Sequence, residues 1–179
     1  AIANTSIASF LPTYLTLERG MDATVATSIS SLNSLFGIAG SLLGGVLCAQ
    51  MWRRKPILIG AIALYILVGF GITMTSSGTL IIVLALAAGT LYFIPIAAQS
   101  TIMIETKQPF DPSILGGAAS ISSGIGQLLC VIVSFLFQGV AAASSMTVAY
   151  RVFFSLCLIG LLGALLLRET GIKPEKAAN

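Results

Sequence analysis

The sequence predicts an all-α membrane protein of six transmembrane helices built as a 3+3 inverted repeat. Three observations predict it. Of 179 residues, 56% are hydrophobic and 8% charged, against roughly 45–50% and about 25% in a soluble domain. The mean hydropathy of +1.01 is spread over the whole chain, so most of it needs a hydrocarbon surrounding. Uncharged apolar runs of helix length recur six times, and the second three echo the first three.

The runs fall near 1–17, 23–51, 56–75, 79–104, 113–138 and 147–167. Membrane strands would alternate apolar with polar residues over about ten positions. The run Ile57-Leu58-Ile59-Gly60-Ala61-Ile62-Ala63-Leu64 does not alternate, so the spans are helices. The first run rises about 26 Å, short of a core of roughly 30 Å, which predicts further chain upstream of Ala1. No basic region opens it as in a signal peptide, and it continues through Pro12 and Tyr14 to a charged corner at Glu18 and Arg19. Thr5, Ser9, Pro12, Thr13 and Thr16 form a polar stripe on it at helical spacing.

The second run places Ser30, Asn33, Gly37, Gly40, Ser41 and Gly44 on one face. Pro56 opens the third, where a missing N–H costs nothing. The fourth carries Ala88, Tyr92, Pro95, Gln99 and Met103 on one face, the fifth Gly116, Ser120, Ser123 and Gln127. Pro109 and Pro112 precede the fifth, while the third and sixth runs have no comparable stripe. Polar groups in hydrocarbon need helices or water as neighbours. The four striped faces are therefore expected to turn inward and the third and sixth helices to lie outside. Small residues such as Gly40 and Gly44 serve close helix approach, whereas Asn33, Gln99 and Gln127 fit either a cavity lining or an interhelical hydrogen bond. Tyr92 fits a lining.

The repeat units are residues 1–76 and 77–170, followed by a tail at 171–179. Phe10-Leu11-Pro12 is echoed by Phe93-Ile94-Pro95, Ile29-Ser30-Ser31 by Ile121-Ser122-Ser123, and Gly37-Ile38-Ala39-Gly40 by Gly124-Ile125-Gly126-Gln127. An odd number of helices per unit inverts the second, an architecture of secondary transporters whose helices are interrupted near the substrate. Pro12 and Pro95 occupy the matching places as helix breaks. Arg53, Arg54, Lys55, Lys107, Arg168, Lys173 and Lys176 lie at the end with the termini, and only Arg19 and Arg151 at the other, near the outer surface. That asymmetry predicts cytoplasmic termini.

All six carboxylates (Glu18, Asp22, Glu105, Asp111, Glu169 and Glu175) lie at span ends or in loops, and the chain has no histidine. Catalytic carboxylate pairs, imidazole metal sites, cofactor sites and phosphate-cradling loops have no visible material. No nucleic-acid patch is seen, since the net charge of +3 follows from topology. Cys48, Cys130 and Cys157 lie on separate runs without metal-type spacing.

Gly45-Val46-Leu47-Cys48-Ala49-Gln50-Met51-Trp52-Arg53-Arg54-Lys55 resembles the loop between the second and third helices of a major facilitator superfamily half. The family run is Gly-x-Leu-x-Asp-Arg-x-Gly-Arg-(Arg or Lys). Gly45, Leu47, Arg53 and Arg54 match; Ala49, Gln50 and Trp52 depart where the family has Asp, Arg and Gly. Arg168-Glu169-Thr170-Gly171 is similar to the ending after the twelfth helix. The resemblance implies a carboxy-terminal six-helix half of a twelve-helix carrier. Helices one and four would line the path, two and five would face the other half, and three and six would support them.

The resulting expectation is half of a secondary active transporter in a bacterial plasma membrane, moving a small solute by alternating access beside a second six-helix half. Thr5, Ser9, Thr13, Asn33, Tyr92, Gln99 and Gln127 are its substrate-path residues, and Gly45, Leu47, Arg53, Arg54 and Lys55 its cytoplasmic gating motif. The competing expectation is a transport-inactive, carrier-like subunit packed in a larger complex.

Overall fold

The computed structural model describes residues 2–51, 53–106 and 112–167, with side chains at 9–51, 53–99, 102, 117, 120, 121 and 123–167. It is all-helical over these: α1 (Ile2–Leu17), α2 (Ala23–Gln50), α3 (Arg54–Met74), α4 (Gly78–Thr106), α5 (Pro112–Ala143) and α6 (Met146–Leu166). Five of them, α2 to α6, are long and apolar enough to cross a membrane. These spans make it an integral membrane protein by length and composition.

Boundaries follow local chemistry. The Asp22 carboxylate accepts the Thr24 amide at 2.8 Å and caps α2. Hydrogen bonds from the Thr24 amide, then its hydroxyl and the Val25 amide, hold that carboxyl below its ordinary value of 3.8. A lowered native pKa favours folding only while the group is ionised. The cap's contribution is therefore full above pH 3.8 and fades as the pH falls below it. Asp22→Asn keeps an acceptor oxygen but cannot titrate, so its thermal midpoint is expected to flatten over that acid range while the parent's falls.

Arg53 precedes α3, so Pro56 is its third residue, still within the turn whose amides have no helical partner. The fifth apolar run predicts a helix end at 138. The helix instead continues through Ala141, Ala142 and Ala143, because alanine has the strongest helix propensity, and only Ser144 and Ser145 separate it from α6. Ser145 caps α6 by accepting the Val148 amide at 3.2 Å.

The main neighbours are α2 with α4, α3 with α4, and α3 with α6; α1 touches α2, α5 and α6, α5 touches α6, and α2 meets α3 slightly. One core cluster draws on all six helices, through Leu11, Tyr14, Ile29, Tyr65, Ile81, Phe137, Tyr150 and Phe154 among others. Its rings interlock: Phe10 stacks on Phe137 at 4.8 Å, and Tyr14 meets Tyr150 edge-on at 5.0 Å. A second cluster near the Arg53 end joins Cys48, Ile57, Leu58, Ala61, Ile94, Ala98, Ile102 and Ala164. Those residues belong to α2, α3, α4 and α6.

The α2–α4 seam is built on a stripe. Ala26, Ile29, Asn33, Gly37, Gly40, Gly44 and Cys48 are the buried residues of α2, and their spacing of three and four marks one helical face. Glycine lets the backbones touch: a Cβ on Gly40 would overlap the Thr90 carbonyl, and one on Gly44 would lie 2.9 Å from the Ala97 Cβ and 3.0 Å from the Ile94 Cα. The inward turn expected of this face is observed at Asn33, Gly37, Gly40 and Gly44, while Ser30 is half-buried and Ser41 exposed. The third helix, expected on the outside, packs against α4 and α6 and keeps an exposed face at Leu64 and Leu67. In α3, 44% of the apolar window is buried, the largest share, against 11% in α5. Gly69 admits the Phe154 ring, and this close approach draws α6 onto α3.

Candidate functional site

The substrate-path residues separate into three groups. Asn33 is buried, and its amide nitrogen donates to the Ala85 carbonyl at 3.1 Å. Of the two roles open to it, it takes the helix-joining one. A Cβ on Gly89 would lie 2.6 Å from the Asn33 carbonyl oxygen, so the side chain sits where the two backbones cross. Tyr92 is half-buried, its ring 5.9 Å from Tyr65 and 5.0 Å from Phe93. It packs against the larger core.

Ser9, Thr13, Gln99 and Gln127 are exposed. Ser9 and Thr13 lie on α1, Gln99 on the last third of α4, and Gln127 on α5. The α5 face expected to turn inward remains uncovered: Ser120, Ser123 and Gln127 are exposed, and Gly117 and Gly124 have nothing within 4 Å of a built Cβ. From 117 to 129 no described α5 residue is buried; the first is Cys130. The helix therefore joins α1 and α6 through its second half. Thr5 lies outside the residues whose side chains are described, as do Gly116 and Met103 from the stripes.

The helix-break expectation is corrected at both prolines. Pro12 lies inside α1 and Pro95 inside α4, and each helix is continuous. Proline removes one donor, the one that would serve the carbonyl four residues earlier, and the bonds on either side keep the helix going. In α1 the Thr16 hydroxyl adds local support, donating to the Pro12 carbonyl at 3.0 Å and the Thr13 carbonyl at 3.1 Å.

Gly45 is exposed, with nothing within 4 Å of a built Cβ, and Leu47 packs on the smaller core. The three cations divide. The Arg54 guanidinium donates to the Met51 carbonyl at 2.6 Å, and the Lys55 ammonium reaches the Leu165 carbonyl at 2.5 Å. Leu165 is one residue from the end of α6, so Lys55 satisfies a terminal carbonyl and the negative end of that helix. Arg53 is exposed. Lys107 and the Glu169–Gly171 ending lie outside the described residues.

The opposite end holds a polar cluster that no motif in the sequence announces. Position alone predicts Arg19 at the outer surface, able to reach the membrane–water boundary. Instead its guanidinium folds back, donating to the Tyr14 hydroxyl at 2.9 and 2.6 Å and to the Ile72 carbonyl at 3.1 Å. Tyr14 in turn donates to the Ile72 carbonyl at 3.4 Å. Arg151 donates from α6 to the Thr73 hydroxyl and carbonyl, both at 3.4 Å. Two guanidiniums thus cover the last carbonyls of α3. Glu18 completes the pattern by accepting the Thr147 amide at 3.0 Å and its hydroxyl, placing an anion at the start of α6.

Open depressions among the described residues include two of note. One of about 720 Å³ is lined by Arg53, Lys55, Pro56, Ile59 and Gly60. The other, of about 560 Å³, lies along Ala23, Thr24, Thr27, Ser28 and Ser31.

Fold and site together define a polytopic helical membrane bundle with polar faces left uncovered on α1, α4 and α5. Comparison with protein-family models, characterised proteins and solved structures finds no match to this chain.

Proposed function

We propose that the chain is one six-helix half of a secondary transporter that moves a small solute by alternating access, working against a second six-helix bundle. The observation that carries this reading is the exposure of Ser9, Thr13, Gln99 and Gln127 on α1, α4 and α5. An amide facing hydrocarbon without a partner is costly, so these faces need water or another bundle beside them, and a carrier supplies both.

The contact pattern lends support. Exchanging α1 with α4, α2 with α5 and α3 with α6 carries the α2–α4 contact onto α1–α5, α3–α4 onto α1–α6 and α2–α3 onto α5–α6. The α3–α6 contact maps onto itself. The α1–α2 contact has no counterpart of similar extent between α4 and α5 among the described residues, and the matched contacts are unequal, α2–α4 and α3–α4 being far more extensive than α1–α5 and α1–α6. A 3+3 inverted repeat would relate neighbouring helices by this exchange, and the shared set of touching pairs supports that reading without extending to the size of each contact. The basic end of the bundle, at Arg53 to Lys55, is on this reading cytoplasmic.

Among the described residues Glu18 and Asp22 lie outside the helices and Glu105 in the last turn of α4, so on this reading recognition in this half rests on hydroxyls, amides and backbone. Neutral or zwitterionic solutes suit such a surface. One observation favours the second reading, a transport-inactive subunit: Asn33 is already committed to the α2–α4 seam.

The readings separate on whether the exposed amides are wet. In the full-length protein with Cys48, Cys130 and Cys157 replaced by serine, Gln99→Cys and Gln127→Cys are introduced singly. A carrier half is expected to give both thiols to a membrane-impermeant methanethiosulfonate at rates about tenfold or more above a lipid-facing Leu67→Cys. Labelling of both no faster than Leu67→Cys would mean a dry, packed face and would sink the carrier reading.

A further inference from the structure

We propose that the depression at the start of α3 is a binding site for an anionic phospholipid, its phosphate at Arg53 and one acyl chain along Pro56, Ile59 and Gly60. The depression is open, about 720 Å³, and apart from Arg53 and Lys55 its lining is apolar. Gly60 provides room, since a Cβ built there has nothing within 4 Å. The same face continues down the helix through Leu64 and Leu67, 51% and 67% exposed. Positions 56, 60, 64 and 67 recur at three and four residues, so they form one stripe along the helix. From Arg53 to Leu67 that stripe extends roughly 20 Å, comparable with one leaflet's share of a hydrocarbon core of about 30 Å.

Charge selects the headgroup. Arg53, Arg54 and Lys55 are consecutive, and the sequence has no Asp or Glu between Asp22 and Glu105. No carboxylate on α2 or α3 is therefore close by in sequence to neutralise them. Arg54 is turned toward Met51 and Lys55 toward Leu165. Arg53 is exposed, makes no capping hydrogen bond to α3 and lines the depression. Its planar fork suits two oxygens of one phosphate. Cationic residues at the head of an apolar, lipid-facing groove complement a molecule with a negative head and an apolar chain. They do not match a zwitterionic lipid, whose choline or ethanolamine would meet the same positive charge.

The site is tested by native mass spectrometry of the full-length protein released from bilayers of phosphatidylcholine and phosphatidylglycerol with identical chains. Retained phosphatidylglycerol is expected to exceed phosphatidylcholine, and Arg53→Gln to lower that preference about fivefold, the effect of one cation at a membrane surface. Arg53→Lys is expected to keep most of it. Gly60→Leu, which fills the groove but leaves the cations, is expected to lower retention of both lipids. Equal retention of the two lipids by the parent, or an unchanged preference in Arg53→Gln, overturns the proposal. Displacement of phosphatidylglycerol by millimolar inorganic phosphate also overturns it, because a free anion would then be sufficient. Thermal midpoints are expected to match the parent in the Arg53 variants, because that side chain is exposed, and to hold or rise slightly in Gly60→Leu, where a Cβ meets nothing within 4 Å and leucine is the better helix former.

Discussion

Gly40→Ala is expected to lower the stability of the bundle by about 3 kcal/mol, the upper end of ordinary overpacking costs. The added methyl group has nowhere to go, because the atoms it would meet are the carbonyl oxygen, carbonyl carbon and Cα of Thr90. Backbone atoms cannot rotate aside as a side chain can. Relief requires α2 and α4 to separate, and separation strains the Asn33 hydrogen bond to the Ala85 carbonyl and the contact at Gly44. Dispersion between closely apposed backbones is a principal force joining helices in lipid, so the loss is spread over the seam. For a chain of this size about 3 kcal/mol corresponds to a fall of roughly 10 °C in the thermal midpoint. Gly45→Ala, one residue beyond Gly44, is the contrast. Nothing lies within 4 Å of its Cβ, and alanine is the better helix former, so the midpoint is expected to hold or rise slightly. Equal losses at the two positions would refute the seam. Gly124→Ala on α5 is expected to behave like Gly45→Ala in the isolated bundle. On the proposed carrier reading, a cost at Gly124 that arises only beside a second bundle would place that bundle against this face.

The seam is legible in the sequence because its residues repeat on one helical face: Asn33, Gly37, Gly40 and Gly44 are spaced as a stripe in the chain itself. The number of helices is legible for a similar reason, since charge or proline punctuates the first, second and fourth gaps between the apolar runs, and short Ser- or Thr-rich segments the third and fifth. What a stripe lacks is a direction. The stripes of α2 and α5 are both made of small residues and an amide, yet Gly40 meets Thr90 while Ser120, Ser123 and Gln127 are exposed. Periodicity shows that a helix has a distinct face, and the neighbour that covers it is set by tertiary packing. The place of α3 is hidden because a small residue and an aromatic one on different helices, Gly69 and Phe154, determine it jointly. The prolines mislead for a local reason: a missing donor weakens a helix, and the surrounding bonds decide whether it ends. The tie from Arg19 to α3 is illegible because the acceptors there are backbone carbonyls 53 and 54 residues away, and carbonyls leave no mark in a sequence.

Arg19→Met is expected to cost about 2–3 kcal/mol, because this side chain joins α1 to α3 where both helices end. Methionine retains the apolar stem and removes the fork. Two contacts to the Tyr14 hydroxyl, one to the Ile72 carbonyl and a longer one to the Thr73 carbonyl disappear, and hydrogen bonds involving a charged group contribute about 1.5–3 kcal/mol each. Arg19 is half-buried, so water replaces part of what is lost and the total stays near the value of one or two such bonds. Arg19→Lys is expected to recover under half, since an ammonium is a point donor that cannot serve the hydroxyl and the carbonyl in one plane. Arg151→Met is expected to cost less, about 1 kcal/mol, because that residue is exposed and its contacts are longer, at 3.4 Å. The decisive measurement is the double variant. Both guanidiniums reach the Thr73 carbonyl, so either one alone still covers the end of α3, and losing both leaves that helix end without a cation. The combined loss is therefore expected to exceed the sum of the single losses by at least about 0.5 kcal/mol, the scale at which sites sharing a partner depart from additivity. Strict additivity would mean that the two arginines act on separate parts of the bundle, and the shared covering of α3 would have to be abandoned.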